Sequence, residues 1–245
     1  MQQVETFPEE IAQVYDTIMG YFDYRKSAKI IDDLVKHRLP NVASPSILEL
    51  GIGTGALALE LIALGYEVEG IDHSSGMLAR AKEKGLQNLH LANVRDFNLG
   101  RDYHAIMSHA GPLRMDYTSK RGHFFETYLA SVQEVEQALQ NVSSHLKPDG
   151  IFMMSVQNTP GRDKKMRSTP EYEELGEFVA KKVITENGKR RIKRRELWKG
   201  DQLIKGITHQ FLVLDLEEFS ELASHNNLQN NGFNLTRHSY SYLKK

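Results

Sequence analysis

Apolar positions along the chain change their period twice. From about Pro8 to Leu39 they fall at helical spacing, with Ile11, Val14, Tyr15, Ile18 and Met19 on one stripe and Ala28, Ile31, Leu34 and Val35 on the next. Pro40 and Pro45 punctuate a short connection. From Ser46, short apolar runs alternate with helical stretches. Ser46–Leu50, Tyr66–Ile71, Leu89–Ala92, Ala105–Ser108 and Ile151–Val156 read as buried strands. Ala56–Leu64, closed by Gly65, and Ser75–Lys84, with Ser74 or Ser75 as N-cap and Gly85 as stop, read as helices. A long helix is expected over Phe125–Leu146, with Leu129, Val132, Val135, Leu139, Val142 and Leu146 on one face and the turn Lys147-Pro148-Asp149-Gly150 behind it. After Pro160 the pattern turns to hairpins. Val179–Ile184, Arg190–Trp198 and Ile204–Leu214 flank the turn signals Asn187-Gly188 and Lys199-Gly200-Asp201. A helix over Leu216–His225 and strands around Phe233–Tyr242 close the chain.

Strands alternating with helices imply right-handed crossovers and a mostly parallel sheet covered on both faces. The expected fold is therefore a doubly wound, Rossmann-like α/β domain with N-terminal capping helices and a C-terminal antiparallel hairpin insertion. One domain is expected over residues 1–245: a helical cap at 1–45, a ligand-binding core at 46–160, an antiparallel lid at 161–215, and a final helix and strands at 216–245.

Composition narrows the function classes. With no cysteine, the chain has no disulfide framework, thiolate zinc site, Cys nucleophile or iron–sulfur cluster, which agrees with a cytoplasmic address. No apolar run approaches the roughly 18 residues that cross a bilayer, and the N-terminus has no basic-then-apolar leader pattern. The ten histidines are scattered, so no metal-ligand spacing is seen. Overall, 31 basic residues balance 32 acidic ones, which argues against a chain-wide polyanion binder.

Chemistry concentrates in Ile47-Leu48-Glu49-Leu50-Gly51-Ile52-Gly53-Thr54-Gly55, a strand entering a glycine-rich turn and then a helix. Glycines let a ligand approach the backbone without meeting a Cβ, and the helix N-terminus offers free N–H groups to negative charge. The loop fits two templates. Gly51-x-Gly53-x-x-Ala56, with Asp72 about 20 residues on, satisfies the dinucleotide fingerprint. Gly51-x-Gly53-x-Gly55 preceded by Glu49 satisfies a methyl-donor loop instead. A tight turn without a ligand is the third reading.

The segments that follow separate these. Leu48–Gly55, then Gly70-Ile71-Asp72-His73-Ser74-Ser75-Gly76-Met77-Leu78, then Leu91-Ala92-Asn93-Val94-Arg95-Asp96-Phe97, then Leu146-Lys147-Pro148-Asp149-Gly150-Ile151-Phe152 resemble the class I S-adenosylmethionine-dependent methyltransferases, small-molecule type, in order and rough spacing. The resemblance covers about Pro8 to Val156 and loosens afterwards. It implies S-adenosylmethionine as cofactor, with Gly51, Gly53 and Gly55 against its methionyl part and Glu49 setting the loop. It implies Asp72 on both ribose hydroxyls, His73 and Met77 flanking the adenine, Asn93 and the Val94 backbone N–H on the adenine edge, and Ser108 beneath the methyl sulfonium. Asn93 replaces an acid common in relatives, and His104 departs from another. Tyr15 and Tyr24 match an N-terminal pattern of small-molecule members, Tyr24 over the cofactor and Tyr15 toward the substrate.

The acceptor is less legible. His109, just after the fourth strand, is the candidate base or orienting group, and His123, Glu126 and Tyr128 are candidates to line the acceptor pocket; ordinary helix-start packing is the competing reading for these three. His209 is a weaker candidate. Six of the seven residues Lys189–Arg195 are basic. A solvated edge hairpin and a phosphate-binding strip for RNA both account for that run. The expected function is methyl transfer to a nitrogen, less so an oxygen, of a small molecule, by a monomer or homodimer without nucleic acid or membrane. The rivals are an RNA methyltransferase, a non-catalytic cofactor-binding protein, and a nicotinamide-dependent oxidoreductase.

Overall fold

A computed structural model describes residues 9–20, 22–118, 121–157, 171–175, 178–234 and 239–245. The N-terminal helical stretch is two helices, α1 (Glu9–Ile18) and α2 (Tyr24–Arg38). Gly20 lies in the break, and the Asp23 carboxylate restarts the helix by accepting from Lys26 N at 2.8 Å. Pro8, the expected start, lies outside the described residues.

The alternating segment delivers β1 (Ser46–Leu50), α3 (Ala56–Ala63), β2 (Glu67–Asp72), α4 (Ser75–Glu83), β3 (Leu89–Leu91) and β4 (Tyr103–Ser108). Where one helix was expected over Phe125–Leu146, the chain forms a hairpin of β5 (Leu113–Thr118) and β6 (Gly122–Thr127), then α5 (Val132–Ser144). The apolar residues at helical spacing mislead because Phe124 and Phe125 are both fully buried, which suits a strand covered on both faces. Helix begins only where Ser131 caps it, accepting from Glu134 N at 3.2 Å while Glu134 accepts from Ala130 N at 2.7 Å.

The chain continues through β7 (Leu146–Ser155), β8 (Glu171–Leu175), β9 (Phe178–Asn187), β10 (Arg190–Lys199), β11 (Gln202–Asp215), α6 (Leu216–His225), β12 (Leu228–Asn234) and β13 (Ser239–Lys244). The expected hairpins are present and longer than predicted. Residues 158–170, which contain the expected boundary after Pro160, and 235–238, inside the expected final strands, lie outside the described residues.

Two sheets result. The first runs β12-β13-β7-β4-β1-β2-β3, parallel from β7 to β3 and antiparallel at β13 and β12. Side-chain alternation splits its core. Ile47, Ala105, Met107, Ile151 and Met153 pack under α2, α3 and α4, whereas Leu48, Leu50, Ile106, Phe152 and Met154 pack under α5 and α6. That is the doubly wound arrangement expected from the sequence. The second sheet, β5-β6-β11-β10-β9-β8, is wholly antiparallel. Leu113, Met115, Phe125, Leu212 and Leu214 join it to the α5–α6 side of the core.

Candidate active site

In the first sheet, strand order reverses between β1 and β4, and ligands of open α/β sheets settle in the crevice beyond the C-terminal strand ends at such a reversal. Three of those ends meet here: Leu50, Asp72 and Ser108. Gly51 N and Ile52 N both donate to Ile71 O, at 2.8 and 3.0 Å, and fold the glycine loop onto β2. Gly51 has a left-handed φ of 74°, and a Cβ there would stand 2.7 Å from Pro112 Cδ. Gly53 is also left-handed, yet a Cβ there would meet nothing within 4 Å. Gly51 is thus required by its neighbour, and Gly53 by backbone conformation on an open face. At Gly55 a Cβ would lie 2.0 Å from Leu86 Cδ1, so this glycine serves helix packing.

Asp72 caps the arrangement. Its Oδ2 accepts from Gly53 N and its Oδ1 from Ser74 N, both at 2.9 Å, and its backbone O accepts from Ala92 N at 3.0 Å. The carboxylate therefore fixes the glycine loop and the start of α4, while the backbone carbonyl of the same residue holds the end of β3. His73 stands beside it, Nδ1 3.5 Å from Oδ1. Below lies Glu49, 3% exposed, whose Oε2 has no hydrogen-bond partner among the described residues. Burial, and then the charge of Asp72, push its carboxyl well above the ordinary range.

The N-terminal cap reaches this crevice. Thr54 Oγ1 donates to Asp16 Oδ1 at 2.6 Å, and Asp16 Oδ2 pairs with Lys84 at 2.5 Å, tying α1 to the glycine loop and α4. Tyr15, next to Asp16, is half-buried. Phe22 bridges two other candidates, its ring 4.9 Å from Tyr24 and 5.2 Å from His109. Burial pulls the half-buried His109 imidazole down to about 4, so it is neutral at physiological pH.

Two other candidates, Ser108 and Asn93, are placed differently from the expectation. Ser108 is fully buried and its hydroxyl accepts from Leu113 N at 3.2 Å, holding the 108–113 loop rather than facing the crevice. Asn93 Oδ1 accepts from Arg95 N at 3.1 Å and Arg95 Nε at 3.2 Å, so the oxygen expected on an adenine is turned to its own chain. Met77 and Val94 are buried, at 1% and 6% exposure. His104 sits at the far end of the sheet, against Ser46 and Lys147.

His123, Glu126 and Tyr128 are on or just after β6, not at a helix start. His123 lies between Tyr117 and Tyr240, at 5.0 and 5.5 Å. Glu126 is wholly buried among three cations. Arg114 Nε reaches its Oε1 at 3.0 Å, Lys193 the same oxygen at 2.6 Å, and Arg191 its Oε2 at 2.6 Å. Burial alone would raise this carboxyl, but Arg114, Lys193 and Arg191 hold it below the usual range. Its expected place on an open pocket wall is corrected accordingly.

The same contacts correct both readings of the basic run. Strand alternation turns Arg191 and Lys193 inward, at 2% and 9% exposure. Arg190 and Lys189 instead point outward, to Ala130 O at 2.7 Å and to Glu218. The run is neither a fully solvated edge nor a continuous cationic strip. Sequence reasoning also missed Phe22, Asp16, Thr54 and Arg114. Gly111-Pro112 was the only visible signal of the turn that carries β5 back over the glycine loop.

Residues 47–150 match the model of a family described as a methyltransferase domain. Over 149 residues the chain is 32% identical to dTDP-3-amino-3,6-dideoxy-alpha-D-glucopyranose N,N-dimethyltransferase of Streptomyces fradiae, covering 59% of this chain and 52% of that one. The chain spans about half the length of the curated relatives it matches. Among solved structures it resembles DesVI of Streptomyces venezuelae, with a TM-score of 0.70 at 21% identity over 96% of this chain and 98% of that one. A SAM-bound amino pentose methyltransferase from Micromonospora echinaspora gives a TM-score of 0.69 at 19% identity, covering 100% of both chains. Those two likenesses share the fold.

Proposed function

We propose, from the match of residues 47–150 to a methyltransferase-domain model, that the protein transfers a methyl group from S-adenosylmethionine to a nitrogen of a small molecule. The observation that carries this is the clasp of Asp72 on Gly53 N and Ser74 N above a buried, incompletely partnered Glu49. The donor set fits the cofactor. Each Asp72 oxygen has one lone pair engaged, leaving acceptor capacity for a ribose hydroxyl pair, and Glu49 lies where a methionyl ammonium would answer its carboxyl.

When bound, S-adenosylmethionine supplies an electrophilic methyl group on a sulfonium. The chain's part is placement and exclusion of water. Gly51 and Gly53 let the backbone approach the methionyl part; Gly55 sets the helix behind them. His73 borders the ribose side, Met77 and Val94 pack under the adenine, and Asn93, held by Arg95, shapes its edge. Ser108 keeps the 108–113 loop in register. Tyr24 and Tyr15 close the cap, with Phe22 seated on His109. A neutral His109 is a weak base and a good hydrogen-bond partner, so it orients the acceptor amine rather than collecting its proton.

An amine acceptor is supported by the relatives that carry amino-sugar N-methylation in their names. Burial of Arg191 and Lys193 supports a small molecule over RNA, because it withdraws two cations from any phosphate backbone. Among the described residues no helix is long and apolar enough to cross a membrane. We read the enzyme as cytoplasmic, as a monomer or homodimer, and as one domain over 1–245 with its second sheet beside the acceptor.

The test is calorimetric titration with S-adenosylmethionine, S-adenosylhomocysteine and NADH, followed by a screen of amino sugars, simple amines and alcohols. Micromolar binding of the first two ligands alone supports the reading. Binding of NADH alone returns Gly51–Ala56 to the dinucleotide template and refutes it.

A further inference from the structure

Among the described residues, a dense group of titratable side chains outside the glycine loop lies on the second sheet, on the face opposite the one packed against α6. Arg191 is answered there on several sides: Asp116 and Glu126 each stand 2.6 Å from its Nη1, and Glu186 lies 3.2 Å from its Nε. Arg114 and Lys193, by contrast, share a single carboxylate oxygen, Glu126 Oε1. They also share one ring, Arg114 Cζ lying 4.5 Å and Lys193 Nζ 4.6 Å from the Phe211 centroid. An ammonium has three N–H donors, and among the described residues Lys193 directs one of them to a hydrogen-bond partner. The two cations are thus desolvated against one shared carboxylate, where Arg191 meets three.

The cluster is not sealed. Arg191 and Glu126 side chains are 2% and 0% exposed, but that of Lys193 is 11% exposed. Half-buried Tyr128, whose hydroxyl accepts from Arg114 Nη1 at 3.3 Å, borders this way in. His209 faces Lys193 in the strand register, with its ring 5.3 Å from that of Tyr128. Arg114 also lies two residues beyond Pro112, which closes on Gly51, so the cluster stands one loop away from the methyl-donor crevice.

We infer that Arg114 and Lys193, floored by Phe211 and bordered by Tyr128 and His209, form an oxyanion-binding subsite that takes a phosphoryl or carboxylate group carried by the methyl acceptor. Lys193 makes the subsite proton-linked. Burial, and then the Arg114 guanidinium, bring its ammonium down to about 7, with Glu126 holding it up and Arg191 adding to the repulsion. The other groups facing it are Asp116 on β5, Tyr128 after β6, His209 on β11 and, on β9, Ile184 opposite it with Glu186 two residues along. At mildly alkaline pH part of the lysine is neutral, and an arriving oxyanion restores its charge by drawing a proton from solution.

The assignment of the anion to the acceptor rests on the methyltransferase reading; the binding itself does not, and S-adenosylhomocysteine binding in the same preparation tests that reading separately. The experiment is calorimetry of the full chain with orthophosphate, pyrophosphate and acetate at about pH 8, in buffers of different ionisation enthalpy, which reports protons taken up on binding. Wild type is expected to bind a phosphate with proton uptake; acetate binding more tightly would assign the subsite to a carboxylate. Lys193→Arg, which stays charged, should keep the anion and lose the proton uptake. Lys193→Met leaves Glu126 with two arginines, so the fold is kept, and anion affinity should fall about tenfold or more. Failure of all three anions to bind wild type, or unchanged binding in Lys193→Met, overturns the proposal.

Discussion

Asp72→Asn separates the two tasks assigned to one carboxylate. The side chain is 8% exposed and accepts from Gly53 N and Ser74 N at 2.9 Å each, one per oxygen. The amide keeps one acceptor oxygen and sets an NH2 group against the other backbone donor. A hydrogen bond to a charged group is worth about 1.5–3 kcal/mol and a neutral one about 0.5–1.5. Losing one ribose bond and weakening the other therefore costs about 2–4 kcal/mol, or about thirtyfold to a thousandfold in cofactor affinity. The stranded backbone N–H adds about 1–3 kcal/mol of lost stability, which lowers Tm by several degrees for a chain of this size. Titration with S-adenosylhomocysteine, which avoids turnover, reads the first quantity, and thermal unfolding reads the second. A variant that melts earlier but binds S-adenosylhomocysteine within about twofold of wild type would make Asp72 a loop clasp only and refute its ribose role.

Four further outcomes follow from the same geometry. Gly53→Ala meets no atom within 4 Å, so it should cost only the left-handed strain of about 1–2 kcal/mol while weakening cofactor binding; Gly51→Ala, 2.7 Å from Pro112, should destabilise more, and equal Tm losses would contradict this. Burial and Asp72 hold the Glu49 carboxyl well above its ordinary value, so its contribution to stability is complete below 4.5 and drains away as pH rises through the raised folded value; Glu49→Gln should flatten the alkaline side of a Tm-against-pH curve, and parallel curves would refute it. Glu126→Gln leaves three buried cations short of charge and should cost about 3–5 kcal/mol by denaturant unfolding. His109→Ala should lower kcat with S-adenosylhomocysteine affinity unchanged; the wild-type kcat/KM profile should show the His109 limb near 4, and a limb at 6.5 that disappears in the variant would mean an exposed imidazole.

The parallel sheet and the cofactor loop were legible because each rests on local chemistry. Leu48 and Leu50 bury on one face and Ile47 on the other, so apolar side chains face both sides of β1, as a doubly covered strand requires. Gly51 and Gly53 need left-handed backbone, and that need shows in the residue type itself. The β5–β6 hairpin was not legible for the converse reason. Phe125, Leu129 and Val132 keep helical spacing by coincidence, and the strand state of the first is settled by pairing with Met115 and Leu214, which stand 10 and 89 positions away. No window of sequence contains that information.

Long-range pairing also explains why the acceptor side resisted reading while the cofactor side did not. Glu126 looks like a pocket acid until β10 places Arg191 and Lys193 against it across 65 and 67 positions. The basic run looks like one charged surface until the strand's two-residue period turns Arg191 and Lys193 inward and leaves Arg190 and Arg194 to solvent. A cofactor common to a family is held by short motifs at strand ends; an acceptor particular to one enzyme is met by side chains gathered from distant strands. On the proposed oxyanion subsite, the buried charge of the second sheet is of the latter kind. Desolvated cations are expensive to retain, and replacing them with well-packed apolar residues would be neutral or stabilising for the fold alone. Their presence one loop from the glycine crevice is therefore more economically explained by recognition of a ligand than by stability.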